Sequence, residues 1–481
     1  MLSYLQAFVF VNILLFLCGL VFWLSRKALT PLRFYILGGV FLGGAFLGLL
    51  LPWTMPDSAV HFWVAYQRAA VIIDGDATLA RKCDIDGYNL SVCENPSIAN
   101  YEKNYNVWVM PKDETVEGAS FIDPGLSFYK SWNYWPQILG ILLGRKLHLN
   151  FMPMVYLARL FQLLAVVAMT AYSIHRTPIG KHVFAMLGLL PIGLQTMSGF
   201  SYDGMVWAVA LNFIAAALWC YKRPKDRVGY IHLLVFTALL ALTKGGGYLI
   251  LLPLAFLMLS REIEYPLWRK ILRVALVLVV GGVTVYLADK VFAPDQVYQF
   301  GTETADMLTT GYAMAHPMEY LKLALHTYGV NWKFYFLSMT GSYLGYLEYI
   351  NSSDLMYIAV ALILAVECCY RTEHFREDSY GRLKLSALIA VALPVIIALL
   401  ATPAMLLKDT AVGADVIAGI QGRYFLPVFP LVFILISYAW PLGKRREWKI
   451  KDIPLSQILL LGFGALDAYF VFHTMQVFLS R

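Results

Sequence analysis

The residues that could do chemistry begin with a carboxylate and a histidine one helical turn apart. Asp57 follows Pro56 and precedes His61 by four positions, and Arg68 comes two further turns along. If a helix begins at Asp57, these side chains project from one face of it. A carboxylate placed in this way can accept the proton of an attacking hydroxyl group. The structural alternative is that Asp57 caps the helix and that His61 is an interface residue.

Three further clusters combine charge with aromatic residues or glycine. They are Ser201-Tyr202-Asp203, Lys244 with the three glycines that follow it, and Gln421-Gly422-Arg423-Tyr424. Lys and Arg can bind a phosphate, and glycines let backbone N–H groups approach an anion. A hairpin turn explains the glycines equally well, and an Arg at a helix end often reaches lipid headgroups. Together, a carboxylate, a histidine and cations suit transfer of a group from a phosphate-linked lipid to a hydroxyl acceptor.

The elements that must position these clusters are membrane helices. Of the 481 residues, 59% are hydrophobic and 14% charged, whereas a soluble chain has about 45–50% and about 25%. This composition excludes a soluble enzyme, a disordered chain and a nucleic-acid binder. A spanning helix needs about 20 apolar residues. Twelve segments are predicted to span, near residues 5–24, 34–51, 152–174, 182–199, 204–221, 229–243, 247–260, 272–290, 354–370, 385–406, 425–441 and 455–474.

The basic residues orient these helices, because cytoplasmic loops collect Lys and Arg. Six short loops hold 22 of the 38 basic residues beside only 8 acidic ones. We therefore place these loops inside and both termini outside. The loops are 26–33, 176–181, 222–227, 261–273, 371–384 and 444–451.

This orientation places all four clusters at the outer face, beside two long loops rich in aromatic residues. The loops run from about 53 to 150 and from about 291 to 353, and loops of this length in a compact protein are usually functional or disordered. Their aromatic content argues against disorder. Within them, 134–147 and 318–328 are amphipathic enough to lie along the membrane surface.

Two cysteines lie ten residues apart in the first outer loop. Cys83 and Cys93 would face an oxidising compartment, which permits a disulfide, and we predict one between them. Further ligands of suitable spacing for a zinc site are not nearby.

Five short motifs in the same order resemble a bacterial family. They run over most of the chain, from about residue 33 to 474. The motifs are Pro56-Asp57 with His61 and Tyr66, the run 134–140, Ser201-Tyr202-Asp203, Lys244, and the run 421–427. The family is DUF2142, known mainly as predicted membrane proteins of unknown function and related to the GT-C glycosyltransferases.

The resemblance implies an all-α polytopic fold of the GT-C type, with the catalytic acid in the first large outer loop. It therefore implies that Asp57 is catalytic and that Lys244 and Arg423 bind the donor phosphate. The residues expected to bind or orient substrate are His61, Arg68, Tyr202, Asp203, Gln421 and Tyr424.

The chain departs from the family pattern in two places. The family commonly has Glu after Pro-Asp, whereas this chain has Ser58, which puts a metal site there in doubt. No organic cofactor is expected, and a divalent cation is left open. An extra helix in 1–32 precedes a membrane module over 33–290 that includes the first outer loop, 53–150. The second outer loop, 291–353, and the C-terminal helices, 354–481, complete the predicted organisation.

The expected function is an inverting glycosyltransferase of the bacterial inner membrane, acting on a hexose or pentose. It would move a sugar from an undecaprenyl-phosphate carrier to a cell-envelope glycan, for example O-antigen, on the periplasmic side. A polymerase or ligase that uses lipid-diphosphate-linked glycan is one alternative. A transporter or flippase of lipid-linked sugars is the other, although transporters often show repeated halves and no repeat is evident. A membrane partner that makes or flips the donor is expected by analogy.

Overall fold

The computed structural model describes residues 2–118, 132–260, 263–290, 307–374, 383–439 and 449–481. Parts of both long outer loops, 119–131 and 291–306, lie outside the described residues. The same is true of the basic residues Arg261, Arg376 and Arg382 and of those in 444–446.

The described chain is built almost entirely of helices. In chain order they are α1 Leu2–Ser25, α2 Pro31–Leu49, α3 Ser58–Asp74, α4 Lys82–Ser91, α5 Ile98–Trp108, α6 Trp135–Lys146, α7 Phe151–Arg176, α8 Lys181–Leu189, α9 Pro191–Ser198, α10 Asp203–Lys222, α11 Arg227–Leu242, α12 Thr243–Leu259, α13 Leu267–Lys290, α14 Tyr312–Ala315, α15 Pro317–Thr340, α16 Ser353–His374, α17 Leu385–Met405, α18 Phe429–Tyr438 and α19 Leu455–Leu479. Of these, α12 is a 3-10 helix and α2 contains a π-helical turn at Gly38–Leu42. Three single-turn 3-10 helices lie between α17 and α18: Leu407–Asp409, Gly422–Tyr424 and Leu426–Val428.

Strands occur only as three short antiparallel pairs among the described residues. They pair β1 Leu79–Arg81 with β2 Val116–Gly118, β3 Tyr343–Leu344 with β4 Glu348–Tyr349, and β5 Lys449–Ile450 with β6 Ile453–Pro454.

Nine helical stretches of the described chain are long and apolar enough to cross a membrane. Each of the twelve predicted segments is mainly helical over its described residues, so the all-α polytopic membrane fold is confirmed. Three features reduce the count. α11 and α12 form one bent stretch, α18 is short, and Pro191 divides the predicted fourth segment into α8 and α9. A proline disfavours helical backbone in the residue before it, and Leu190 is accordingly extended. The count of twelve spans stays a prediction.

Helix α10 lies at the centre of the bundle, since 94% of its most apolar window is buried. It packs against α7, α11, α12 and, through its first turns, α9. Asp203, the second carboxylate of the predicted site, is the first residue of α10 and therefore belongs to the most buried of the spanning helices.

Contacts between loops agree with the predicted division into two faces. Lys27 lies 3.8 Å from Asp452, and these residues belong to two loops predicted to be inside. Arg481, at the C-terminus, pairs with Glu348 of the second outer loop. Predicted inner loops therefore contact each other, as do predicted outer segments.

The first outer loop has an aromatic core of its own. Trp53 packs edge-on against Phe62 at 5.4 Å between ring centroids and is stacked on Phe151 at 6.0 Å. Helix α6 crosses α7 at Gly140, where a Cβ atom would lie 2.5 Å from the Cα of Ala158. The predicted surface segment 134–147 is thus helical and packed on α7, and 318–328 forms the first part of α15.

The predicted disulfide between Cys83 and Cys93 is wrong, because both are free thiols. The residues between them form α4, and a helix rises about 1.5 Å per residue. Cys83 near its start and Cys93 beyond its end are therefore separated by roughly 12 Å or more along the axis. The Cα atoms of a disulfide usually lie about 4.4–6.8 Å apart.

Candidate active site

Asp57 lies in the turn that leads from α2 into α3. Its backbone is left-handed, with φ +63° and ψ 6°, and its side chain makes no capping hydrogen bond to α3. The side chain is 61% exposed. Asp57 occupies the capping position, yet its carboxylate is turned away from the helix. Helix capping, the structural alternative for Asp57, therefore does not account for its side chain. Left-handed backbone at a residue other than glycine is uncommon and occurs repeatedly at functional sites.

Arg423 connects Asp57 with the second carboxylate, Asp203. Its Nη2 lies 3.7 Å from Oδ2 of Asp57, and its Nη1 lies 3.5 Å from Oδ2 of Asp203. The guanidinium side chain is only 7% exposed. Burial opposes its charge, but Asp203, the hydroxyl of Tyr424 and Asp57 together outweigh burial and raise the pKa of Arg423 above its usual value. Its Nε is buried without a hydrogen bond, so part of its donor capacity is unused.

Gly422 determines where Arg423 lies. The single turn Gly422–Tyr424 packs against α15, and the Gly422 N–H donates to Oγ of Ser338 at 3.1 Å. A Cβ atom on Gly422 would lie 2.5 Å from that Oγ and would collide with the Tyr335 carbonyl oxygen. The glycine is therefore needed for close approach, and the second outer loop supports the arginine through α15.

Lys244 lies at the bend between α11 and α12. Its backbone is left-handed at φ +46°, and Gly245 and Gly246 continue in that region at +62° and +80°. The ammonium group lies 4.1 Å from the ring centroid of Tyr424 and 5.6 Å from that of Tyr202. Within the described part of the chain, Lys244 makes no hydrogen bond or ion pair beyond these cation–π contacts. It is a cation held by aromatic faces and available to an anion.

The turn that precedes Asp203 is held by side chains of α6 and α7. The Ser201 carbonyl oxygen accepts from Nε2 of Gln137 at 3.1 Å and from Nε2 of Gln162 at 3.2 Å. The Asp203 N–H donates to Oγ of Ser201 at 3.1 Å. Nε of Arg159 donates to the Ser198 carbonyl oxygen at 2.8 Å. These buried bonds fix the backbone from which the Asp203 carboxylate reaches Arg423.

His61 faces the same cluster from α3. Its Nδ1 lies 2.6 Å from the hydroxyl of Tyr134, and its ring meets the Tyr202 ring edge-on at 4.7 Å. Burial lowers the pKa of His61 to about 4, although Asp203 and Asp57 favour the charged ring. At neutral pH the imidazole is therefore uncharged. It can orient a hydroxyl group but adds no charge to the site.

The structure thus brings seven of the nine predicted site residues into one cluster. They are Asp57, His61, Tyr202, Asp203, Lys244, Arg423 and Tyr424. Gln421 lies beside it and lines a small cavity with Pro56 and Arg423. Arg68 does not join the cluster. It lies two turns further along α3, its Nε and Nη2 are buried without hydrogen bonds, and burial lowers its pKa.

Sequence reasoning missed two tyrosines as site residues. Tyr134 bonds to His61, and the hydroxyl of Tyr248 donates to the Tyr424 carbonyl oxygen at 3.2 Å. The sequence nevertheless contained a signal for each of these tyrosines. Tyr134 opens one of the five motifs, and Tyr248 comes one helical turn after Lys244.

The positive charge of Arg423 disfavours a metal ion between Asp57 and Asp203. Arg423 lies within ion-pair distance of both Asp57 and Asp203, so a second cation there would face repulsion. Ser58, where the resemblance led us to expect Glu, donates its hydroxyl to the Met55 carbonyl oxygen at 2.8 Å. Among the described residues, no group of three or more His, Cys, Asp or Glu side chains could hold a metal ion.

Comparison with known proteins gives one family. A family model described as a predicted membrane protein (DUF2142) matches residues 40–432, and this range contains every residue of the cluster. No curated protein and no solved structure matches the chain.

Proposed function

Because the chain belongs to the DUF2142 family of predicted membrane proteins, whose description states no activity, we propose a function from the geometry of its site. The protein is a membrane glycosyltransferase. It transfers a sugar from a polyprenyl-phosphate-linked donor to a hydroxyl group of a cell-envelope glycan, with inversion at the anomeric carbon. It is related in mechanism to the GT-C enzymes.

One observation carries this proposal. An exposed carboxylate that caps no helix, Asp57, lies within ion-pair distance of a buried arginine, Arg423, beside a lysine without an ionic partner in the described chain. Glycosyl transfer from a lipid phosphate needs a base for the acceptor and cations for the leaving group. Both are present within one cluster.

The reaction can be written with these groups. The acceptor oxygen attacks the anomeric carbon of the donor sugar, and its proton passes to a carboxylate oxygen of Asp57. The bond from the anomeric carbon to the phosphate oxygen breaks, and its electron pair stays on that oxygen. The phosphate therefore becomes more negative, from about −1 in the donor to about −2 in the released polyprenyl phosphate. Arg423 and Lys244 stabilise this increase, since cations aimed at developing charge act most strongly in the transition state.

Binding of the donor would also prepare the base. At 3.7 Å, Arg423 is close enough to Asp57 to stabilise its charge, but the separation exceeds a normal N–H···O hydrogen bond. A donor phosphate that binds Arg423 competes with Asp57 for the same cation. Asp57 is then released from this ion pair at the moment when it must accept the acceptor proton.

The aromatic residues of the cluster suit the sugar. Tyr202 contacts both His61 and Lys244. Tyr424, from the run 421–427, contacts Lys244 as well. Their flat apolar faces can pack against a sugar ring, while His61 and Asp203 orient its hydroxyl groups. This supports a lipid-linked sugar as substrate more directly than a lipid phosphate alone.

The predicted orientation places the reaction on the extracytoplasmic side of the bacterial inner membrane. Polyprenyl-phosphate sugars reach that side only after synthesis and transfer across the bilayer. A membrane partner that makes or flips the donor is therefore part of the proposal, and no organic cofactor is required.

The test is a release assay with the purified protein in detergent. The protein receives a panel of polyprenyl-monophosphate sugars and envelope-glycan acceptors, and free polyprenyl phosphate and extended glycan are measured. Appearance of both products supports the proposal. Turnover of diphosphate-linked glycan alone would identify a polymerase or ligase. Movement of lipid-linked sugar across proteoliposomes with no glycan product would identify a transporter.

A further inference from the structure

A lipid-facing groove lies at the end of the bundle opposite the candidate active site. Helix α10 begins with Asp203 in that site and ends with Lys222, and twenty helical residues extend about 30 Å. Near Lys222, α10 forms the floor of the groove, with Ala216 leaving room between the last turns of α7 and the first turns of α11. The groove therefore lies on the face whose loops carry the basic residues.

The polar groups of the groove change in type with depth. Tyr172, on α7, lies 3.2 Å from Nδ1 of His232, on α11, and the tyrosine is 38% exposed on the lipid-facing side. One turn nearer the helix ends are Arg176 and Trp219, and about one turn deeper is Phe236. From the surface inward, the groove thus offers cations, then hydrogen-bonding groups, then apolar surface. A phospholipid has the same order of phosphate, ester and acyl chain.

Two arginines lie against the indole of Trp219, and Arg176 and Trp219 both line the groove. The guanidinium carbons of Arg176 and Arg223 lie 4.1 Å and 4.4 Å from the Trp219 ring centroid. Neither guanidinium makes a hydrogen bond within the described part of the chain. Stacking on an aromatic face leaves the N–H edges of an arginine directed outward, which suits bidentate phosphate binding.

The carboxylate nearest to Arg176, that of Asp226, accepts hydrogen bonds from other donors. Asp226 accepts from the indole N–H of Trp219 at 2.6 Å and from the backbone N–H groups of Val228 and Gly229 at 2.9 and 3.2 Å. It lies 3.9 Å from Arg176, at the limit of an ion pair. The neighbouring Arg227 adds further positive charge, whereas Lys225 pairs with Glu264 at 3.3 Å. The mouth of the groove is therefore cationic.

We propose that this groove is a binding site for an anionic phospholipid of the cytoplasmic leaflet. Its phosphate binds Arg176 and Arg223, its ester region meets Tyr172 and His232, and an acyl chain follows the groove past Phe236. Basic pockets between membrane helices on the cytoplasmic side bind anionic headgroups in this way. The site is separate from the proposed transferase centre and does not depend on it.

Native mass spectrometry of the purified protein tests the proposal. Phosphatidylglycerol and phosphatidylcholine with identical acyl chains are titrated against wild type and against the double variant Arg176→Gln, Arg223→Gln. The matched control is Arg26→Gln, Arg269→Gln, which removes two exposed arginines that also stack on aromatic rings, Phe22 and Trp268, outside the groove. Wild type and control should retain phosphatidylglycerol about tenfold better than the groove variant.

The possible results distinguish a specific lipid-binding site from nonspecific attraction by surface charge. Equal retention of the two lipids by wild type, or equal losses in the groove and control variants, would overturn the proposal. Displacement of phosphatidylglycerol by equimolar undecaprenyl phosphate would also overturn it, in favour of a carrier-lipid site. If the double variant does not fold, Tyr172→Phe keeps the ring and removes the hydroxyl. It should lower phosphatidylglycerol retention two- to threefold, and unchanged retention would contradict the assignment.

Discussion

Arg423 and Asp57 come from distant parts of the chain and lie 3.7 Å apart at the outer end of the bundle. Asp57 follows the second helix, whereas Arg423 precedes the eighteenth. The contact requires both outer loops, because one presents Asp57 and the other supports Arg423 through α15. The site is therefore assembled by the whole membrane domain, and each of its parts can be tested separately.

Substitution of Gly422 by alanine should displace Arg423. The added methyl group would collide with the backbone of α15, and overpacking of this kind costs about 1–3 kcal/mol. We expect a lower melting temperature in detergent and loss of sugar transfer. Gly282→Ala is the matched control, because a Cβ there meets nothing within 4 Å. A Gly422→Ala protein with wild-type melting and turnover would show that the described contact with α15 is wrong.

Substitution of Lys244 by methionine should weaken donor binding without unfolding the protein. A hydrogen bond to a charged group contributes about 1.5–3 kcal/mol, which corresponds to a roughly 10- to 100-fold lower kcat/KM for the donor. Stability should change little, since Lys244 has only cation–π contacts within the described chain. Steady-state kinetics and thermal melts check both expectations. Lys333→Met, on the exposed face of α15, provides the control. An unchanged kcat/KM would remove Lys244 from the phosphate site.

Burial of neutral His61 should make the stability of the protein depend on pH. The pKa of His61 is about 4 in the folded protein and 6.5 in the unfolded chain. Between these values the unfolded chain binds a proton that the folded one does not, so unfolding is favoured as pH falls. The stabilising contribution is complete above about pH 6.5 and is lost progressively towards pH 4.

The measurement is the difference in melting temperature between pH 7 and pH 5. His61→Gln should reduce this difference, whereas His326→Gln, exposed on α15, should leave it unchanged. Identical differences in wild type and His61→Gln would contradict the neutral, buried histidine.

Cys83 and Cys93 should both react with an alkylating agent in denaturant without reductant. Burial raises the pKa of each thiol to about 11, so neither should react readily in the folded protein. Peptide mass analysis of the unreduced protein checks this. A peptide pair joined through these two residues would mean that α4 is not helical as described.

The gathering of the charged residues could be predicted, but their pairing could not. Asp57, Asp203, Lys244 and Arg423 each lie at the outer end of a helix, and the distribution of basic residues places those ends on one face. That Arg423 lies between two carboxylates depends on the close packing of Gly422 against α15. This contact leaves no periodic signal in the sequence.

The errors of the sequence-based account have local physical causes. Helix α4 is polar and contains Asp, Asn and Gly, so apolar periodicity did not reveal the helix that keeps Cys83 and Cys93 apart. The division of the fourth predicted segment follows from Pro191, a signal that was present in the sequence. Arg68 shares a helical face with His61, but two helical turns carry it away from the cluster.

Sugar transfer by wild type and by Asp57→Asn tests the central claim most directly. The substitution keeps the shape of an exposed side chain, so folding should be preserved, and Asp415→Asn serves as a control in another exposed outer segment. Wild type and control should release polyprenyl phosphate from its sugar-linked form, and Asp57→Asn should be slower by about 10²–10⁴-fold, the usual contribution of a general base. Release at the wild-type rate by folded Asp57→Asn would contradict the assignment of Asp57 as the base.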